Sequence, residues 1–346
     1  MSETLTSMFN SDDVVVVAGA GGFIGGHLVA RLQADGFSRI RAVDGKPIGQ
    51  WHQRPPDVEY IQTDLRSADA CYSVTEGASV IFDLAADMGG MGFIEYHKAD
   101  CMLSVLIGTH LLLAARDNGV GRMFFASSAC VYNAEKQLDA DVTALKEEDA
   151  YPALAEDGYG WEKLFTERMC RHFNDEFALP TRVARYHNVY GPLGTWDGGR
   201  EKAPAAICRK VAQAALSGNH EIEIWGDGEQ TRSFMYIDDC VEGTLRLTAS
   251  SFADPVNVGS DELVSINQLV DIVEGIAGVK LRRTYNLAAP KGVRGRNSDN
   301  TLIRDVLDWA PSISLQNGLE KTYAWIHDQL VSGRRDRSAG VPESVR

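Results

Sequence analysis

The chain has 346 residues, 44% of them hydrophobic, and carries 34 lysines and arginines against 48 acids, a net charge of −14. That length suits two lobes sharing a cleft better than one small core. The acidic balance excludes non-specific nucleic-acid binding, which needs a basic surface, so any anionic ligand must meet locally gathered lysines and arginines.

In chain order, residues 1–13 are polar and mixed, which predicts no signal peptide. Residues 14–18 (VVVVA) read as a buried parallel strand, a continuous β-branched run ended by glycine. A helix pattern follows over 23–34. Further strands are predicted at 39–43, 58–61, 79–84, 122–126 and 181–186, with helices between most of them, notably 100–118 and 158–177. Strands alternating with helices predict an α/β fold, a Rossmann-type doubly wound parallel sheet. After 186 the rhythm breaks into glycine- and proline-rich segments, which predicts a smaller α/β lobe. A helix beginning near Asp238 and a strand at 255–258 then return to the sheet. The expected division is 1–185 with 233–258 as a discontinuous cofactor domain, and 186–232 with 259–330 as the second lobe. The charged, turn-rich tail over 331–346 reads as disordered. No apolar run reads as long enough to cross a membrane. The six cysteines at 71, 101, 130, 170, 208 and 240 include no C-x-x-C pair, so neither a metal site nor a disulfide framework is predicted. Free thiols fit a reducing, cytoplasmic location.

Gly19, Gly22 and Gly25 follow the first strand and open a helix, with Phe23 and Ile24 between the last two. Glycines there allow a tight turn and close backbone approach to a pyrophosphate seated on helix N–H groups. The spacing is G-x-x-G-x-x-G, and its place in a strand–turn–helix unit points to dinucleotide binding. Asp44 ends the second strand, where a carboxylate accepts from both hydroxyls of an adenosine ribose and repels a 2′-phosphate, so NAD is favoured over NADP. Lys46 nearby softens that preference. Asp64 is a candidate for the adenine amino group, or equally an ordinary turn aspartate.

Tyr159 and Lys163 are spaced i, i+4 and share a helix face. An ammonium beside the phenol is expected to lower its pKa. Ser128 ends a strand and would hold a substrate hydroxyl together with Tyr159. Cys130 reads either as a small buried strand-end residue or as an acid/base.

These pieces together resemble the extended short-chain dehydrogenase/reductases, the nucleotide-sugar epimerases and dehydratases, over residues 14–328. The strings AADMGGMGFI (85–94), SSACVY (127–132), YHNVYGPLGTWDGGREKAPAAICRK (186–210), WGDGEQTRSF (225–234) and VRGRNSDN (293–300) are similar to the GDP-mannose 3,5-epimerase family. The resemblance implies NAD as a retained cofactor, a nucleotide-sugar substrate such as GDP-mannose, and a homodimer built on helices 100–118 and 158–177. It implies epimerisation at C3 and/or C5 through a transient 4-keto sugar, giving GDP-L-galactose and/or GDP-L-gulose. Cys130 and Lys202 then match the acid/base pair, with Tyr159, Lys163 and Ser128 serving the hydride step. Gly89, Ala129, Asn188, Glu201, Ala203, Lys210, Gln230, Thr231, Arg232 and Arg296 match substrate positions, Arg296 as a diphosphate arginine. The alternative in the same superfamily is a C4-epimerase or 4,6-dehydratase. A dehydratase usually has an acid where this chain has Ala129-Cys130.

Overall fold

The computed structural model describes residues 4–290 and 292–333. Val14–Ala18 forms β1, and all five residues are buried. Val15 and Val17 face one layer with Leu28 and Val241, while Val14, Val16 and Ala18 face the other with Leu111 and Phe173. A strand covered on both faces has no solvent side to mark with polar residues, which is why its sequence runs apolar without alternation. Five parallel strands follow: β2 Arg39–Asp44, β3 Glu59–Gln62, β4 Ala78–Asp83, β5 Arg122–Ser128 and β6 Thr181–Tyr186. With Val256–Val258 they form a seven-stranded sheet in the order Val256–Val258, β6, β5, β4, β1, β2, β3. Every pairing is parallel, so the sheet is the doubly wound one expected. The strand order reverses between β1 and β4, which opens a crevice at their carboxyl ends.

β5 runs two residues beyond its expected end, so Ser127 and Ser128 belong to the sheet, paired with Arg185 and Tyr186. The expected helix 158–177 is Tyr159–Phe177, and the one near Asp238 is Ile237–Ala249. The single helix expected over 100–118 is instead two, Lys98–Met102 and Val105–Asp117. The break turns the buried Ser104 hydroxyl to the loop after β4, where it accepts the Asp87 N–H at 3.0 Å. By length and composition the stretch Lys98–Asp117 would suffice to cross a membrane, contrary to the reading of the sequence. Here it packs against Ala68–Thr75 and Tyr159–Phe177. Leu111, Leu112 and Ala115 of this segment serve the core, while Met102, Leu103 and Leu106 are exposed.

Beyond β6, helix Ala203–Ser217 packs on helices Ile266–Ala277 and Leu315–Val331. Strand Glu221–Trp225 pairs with Arg282–Asn286. Thr231–Ser233 lies between Leu263–Ser265 and Gly295–Arg296. The last of these brings Arg296 to the turn after β5, where its Nη1 lies 3.5 Å from Cys130 Sγ. Val331, expected to open the tail, instead closes a helix whose Leu319, Thr322 and Ile326 are buried. Residues 334–346 lie outside the described residues.

Candidate active site

The turn after β1 is built by contacts that only glycine permits. Gly19 sits at φ +82°, and a Cβ on it would lie 2.8 Å from the backbone of Leu84 and Ala85, in the loop after β4. A Cβ on Gly25 would lie 2.2 Å from the Gly19 carbonyl oxygen. The chain therefore curls tightly into helix Phe23–Ala34, whose N-cap is Gly22. At the end of β2, Asp44 accepts the Gly21 N–H at 3.0 Å and the Lys46 N–H at 2.9 Å, one on each carboxylate oxygen. Each oxygen keeps capacity for a further donor, so the carboxylate is aimed before a ribose arrives. Lys46 Nζ donates to the Gly21 carbonyl at 3.0 Å. A helix N-terminus, glycines admitting close approach and a pre-aimed carboxylate fit a dinucleotide. Asp64 is half exposed and held by Arg66 at 2.7 Å, a pair that keeps its carboxyl below the usual range.

At the other end, β5 stops at Ser128, whose hydroxyl accepts the Cys130 N–H at 3.2 Å and starts the short turn Ala129–Val131. The Cys130 carbonyl accepts the Glu156 N–H at 2.9 Å. A Cβ on Gly160 would lie 2.3 Å from the same carbonyl. Gly160 thus lets the first turn of helix Tyr159–Phe177 press against the cysteine, and Cys130 and Tyr159 share one buried cluster with Phe93, Ile94 and Cys101.

Burial dominates the electrostatics. It drives the Tyr159 phenol well above its usual range, with Cys130 and Glu162 adding to the effect and the Ser128 hydroxyl opposing it. This corrects the expectation that Lys163 lowers it. Lys163 is fully buried, with its Nζ 4.7 Å from the Phe125 ring centre and 5.5 Å from that of Tyr159. It is 3.7 Å from Glu162, a neighbour that the sequence reading passed over. Burial pushes the Cys130 thiol up to about 11; the Glu156 carboxylate adds to this and the Arg296 guanidinium opposes it. Lys202 caps helix Ala203–Ser217 at its amino end. Burial lowers its ammonium below the usual range, Cys130 pulls it back up and Arg296 pushes it down. A helix N-terminus is itself unfavourable for a cation. The thiol and the amine are therefore both displaced toward their neutral forms.

The other expected substrate residues divide in two. Gly89 lies under Phe93 and Arg200, with no room for a Cβ. Next to it, the Gly90 N–H donates to the Arg200 carbonyl at 2.9 Å. Arg200 stacks 3.7 Å over the Phe93 ring and pairs with Asp87 at 2.8 Å, so the loop after β4 is clasped to the segment before Lys202. Glu201 binds Arg209 at 2.7 Å and the Gly199 N–H at 2.7 Å, which braces this segment on the helix begun by Ala203. Lys210 donates to the Glu223 carbonyl at 2.8 Å beside the Trp225 ring. Asn188 and Gln230 donate to the carbonyls of Ser233 and Trp225, at 3.0 and 2.8 Å. Thr231 donates to the Ala140 carbonyl at 2.5 Å and Arg232 to the Val293 carbonyl at 2.6 Å. These bonds make Asn188, Thr231 and Arg232 braces between segments. Arg296, expected at a diphosphate, is buried and engaged with Cys130, Glu156 and Gln137, the last at 2.6 Å. Glu156 and Gln137 were not singled out in the sequence. The position of Glu156, three residues before Tyr159, was the available signal.

The profile of the NAD dependent epimerase/dehydratase family matches residues 15–259. The chain is 49% identical over 328 residues to GDP-mannose 3,5-epimerase 1 of Oryza sativa subsp. japonica, covering 94% of this chain and 84% of that one. It is 49% identical over 317 residues to GDP-mannose 3,5-epimerase of Arabidopsis thaliana, covering 91% and 82%. Among solved structures, UDP-glucuronic acid 4-epimerase from Bacillus cereus, in complex with UDP-glucuronic acid and NAD, superposes with a TM-score of 0.77 at 25% identity, covering 91% of this chain and 99% of that one.

Proposed function

From the premise that the chain belongs to the NAD dependent epimerase/dehydratase family, we propose that it epimerises GDP-mannose at C3 and/or C5 through a transient 4-keto sugar, giving GDP-L-galactose and/or GDP-L-gulose. The observation that carries this reading is the thiol of Cys130 packed against Tyr159, within the electrostatic reach of Lys202. The near-half identity to plant GDP-mannose 3,5-epimerases supports it.

The glycine turn and Asp44 would hold NAD, which would supply the acceptor for a hydride from the sugar C4 and the donor that returns it. Tyr159 takes the proton of the C4 hydroxyl; the Ser128 hydroxyl favours the phenolate against the burial that opposes it, and Lys163 lies with its Nζ 5.5 Å from the phenol ring. The resulting ketone acidifies the hydrogens on C3 and C5. Cys130 and Lys202 then act from opposite faces of the ring: one removes a carbon-bound proton and the other delivers one, which inverts the centre. Burial leaves the Lys202 amine readier to accept a proton and the Cys130 thiol holding one, so the thiol must be deprotonated before it can act as the base. The GDP moiety runs toward Lys210, Gln230 and Arg232. The exposed Met102, Leu103, Leu106, Trp161 and Phe165 on segments 98–117 and 159–177 support a homodimer through those helices. Six unpaired cysteines support a cytoplasmic location.

The test is incubation with GDP-mannose in deuterated water. Wild-type protein should place deuterium at C5, or at C3 and C5. Cys130→Ala and Lys202→Ala should still pass hydride between C4 and NAD but leave carbon-bound hydrogen unexchanged. Cys130→Ser should behave like the alanine variant, since a hydroxyl is a far weaker acid. Product epimerised at C4 alone, without carbon-bound deuterium, would move the C4-epimerase reading ahead.

A further inference from the structure

Glu156 enters none of these steps, yet its carboxylate lies against the thiol. Its N–H holds the Cys130 carbonyl at 2.9 Å, which fixes the stem of the side chain on the cysteine turn. Its Oε2 lies 3.3 Å from Arg296 Nη2, while Arg296 Nη1 points at Cys130 Sγ from 3.5 Å. Its Oε1 is buried and has no hydrogen-bond partner, one guanidinium holds both the carboxylate and the thiol, and the carboxylate raises the thiol's hold on its proton. On its other side Glu156 lines an open cavity of about 390 Å³, together with Met91, Glu95, Gln137, Leu138 and Arg294. One carboxylate thus bridges a buried thiol and a space open to water.

A buried acceptor without a donor is costly, and the S–H of Cys130 is a donor held on the same guanidinium. The thiol in turn has a need of its own, since it must lose its proton before it can take one from carbon. We propose that Glu156 is the proton-exchange partner of Cys130, a positioning residue that relays the thiol proton to water in the adjoining cavity and back. In the outward step the S–H bond breaks and an O–H bond forms at Glu156 Oε1. The thiolate stays paired with Arg296, and the carboxyl then releases the proton to water. No oxidant or further reactant is required. This inference rests on the reading of Cys130 as an acid/base.

The groups facing the pair are Arg296, Arg232, Lys202 and Tyr159, with Glu95 and Arg294 on the cavity wall. Two guanidiniums and an ammonium remain when the carboxylate is neutralised. Glu156→Gln therefore makes the thiolate easier to form while removing the exit for its proton.

The experiment uses the full-length holoenzyme with NAD. Thiolate ultraviolet absorbance against pH is taken as the difference from Cys130→Ala, and C5 deuterium exchange into GDP-mannose is measured beside hydride transfer from C4. Glu156→Gln should move the thiol titration down by about one pH unit or more. It should also slow C5 exchange about tenfold or more and leave hydride transfer within about twofold. Glu156→Asp should recover part of the exchange. An unchanged thiol titration in Glu156→Gln overturns the proposal, whether or not turnover falls, because a structural role would leave it there. Normal C5 exchange overturns it too. If Cys130→Ala itself still exchanges C5, the failure belongs to the epimerase reading.

Discussion

The turn after β1 works with backbone, and the chamber after β5 works with side chains. In the first, Gly19 and Gly25 are required because no Cβ fits, the Asp44 carboxylate is tied by two N–H groups, and the Lys46 ammonium is tied to a backbone carbonyl. In the second, Cys130, Tyr159 and Lys163 are buried, and burial displaces the thiol and the phenol from their ordinary ranges. Recognition of a dinucleotide asks only for shape and fixed dipoles, which hold at any ordinary pH. Moving protons on and off carbon asks for groups whose protonation answers to their surroundings: desolvation brings the Lys202 amine toward neutrality and holds the thiol and the phenol protonated until neighbouring groups offset it. The two ends of one crevice thus use opposite resources.

The largest expected effect breaks the chamber. Tyr159→Phe keeps the ring and removes the hydroxyl that exchanges the C4 proton, so turnover should fall by about 10²- to 10⁴-fold. Calorimetry should show NAD and GDP-mannose still binding within a small factor. Near-normal turnover would mean that the chamber does not depend on this hydroxyl. Next comes Gly160→Ala, which asks whether the chamber also has a steric requirement like that of the turn. A methyl 2.3 Å from the Cys130 carbonyl must push the helix start away from the cysteine. The expected cost is about 1–3 kcal/mol in denaturant unfolding, with C5 exchange falling more than hydride transfer. A variant as stable and active as the wild type would confine steric necessity to the turn. The smallest effect belongs to the turn itself. Asp44→Ala should weaken NAD by about tenfold, the worth of one charge-assisted hydrogen bond, and narrow the preference over NADP. Wild-type protein that bound NADP more tightly than NAD would show that Asp44 does not discriminate.

The same contrast decides what could be read without a structure. The VVVVA run and the glycines after it are local patterns with local causes, so β1, its turn and the following helix stand where expected. Tyr159 and Lys163 were legible for the same reason, since helical spacing alone puts them on one face. Arg296 was singled out as a diphosphate arginine and not by its neighbour, because its meeting with Cys130 spans 166 residues of chain. The phenol moved opposite to expectation because an i, i+4 spacing carries no information on burial. Glu156 was missed because its one local signal, a place three residues before Tyr159, says nothing of the Arg296 guanidinium that joins it to the thiol. The break at Leu103–Ser104 was hidden in an apolar helical pattern, since the reason for it, the Asp87 N–H, lies on another segment.

The clasp formed by Arg200, Asp87 and Phe93 bears on how long each protein molecule stays productive. A keto sugar that left in mid-cycle would leave the cofactor reduced, with no substrate to take the hydride back, and that molecule would stop. The ratio of completed to interrupted cycles therefore sets the working lifetime of the protein. The clasp joins the loop after β4 to the segment leading into Lys202 by a backbone hydrogen bond, an ion pair and a stacked guanidinium together. Parting the two segments means breaking all three at once.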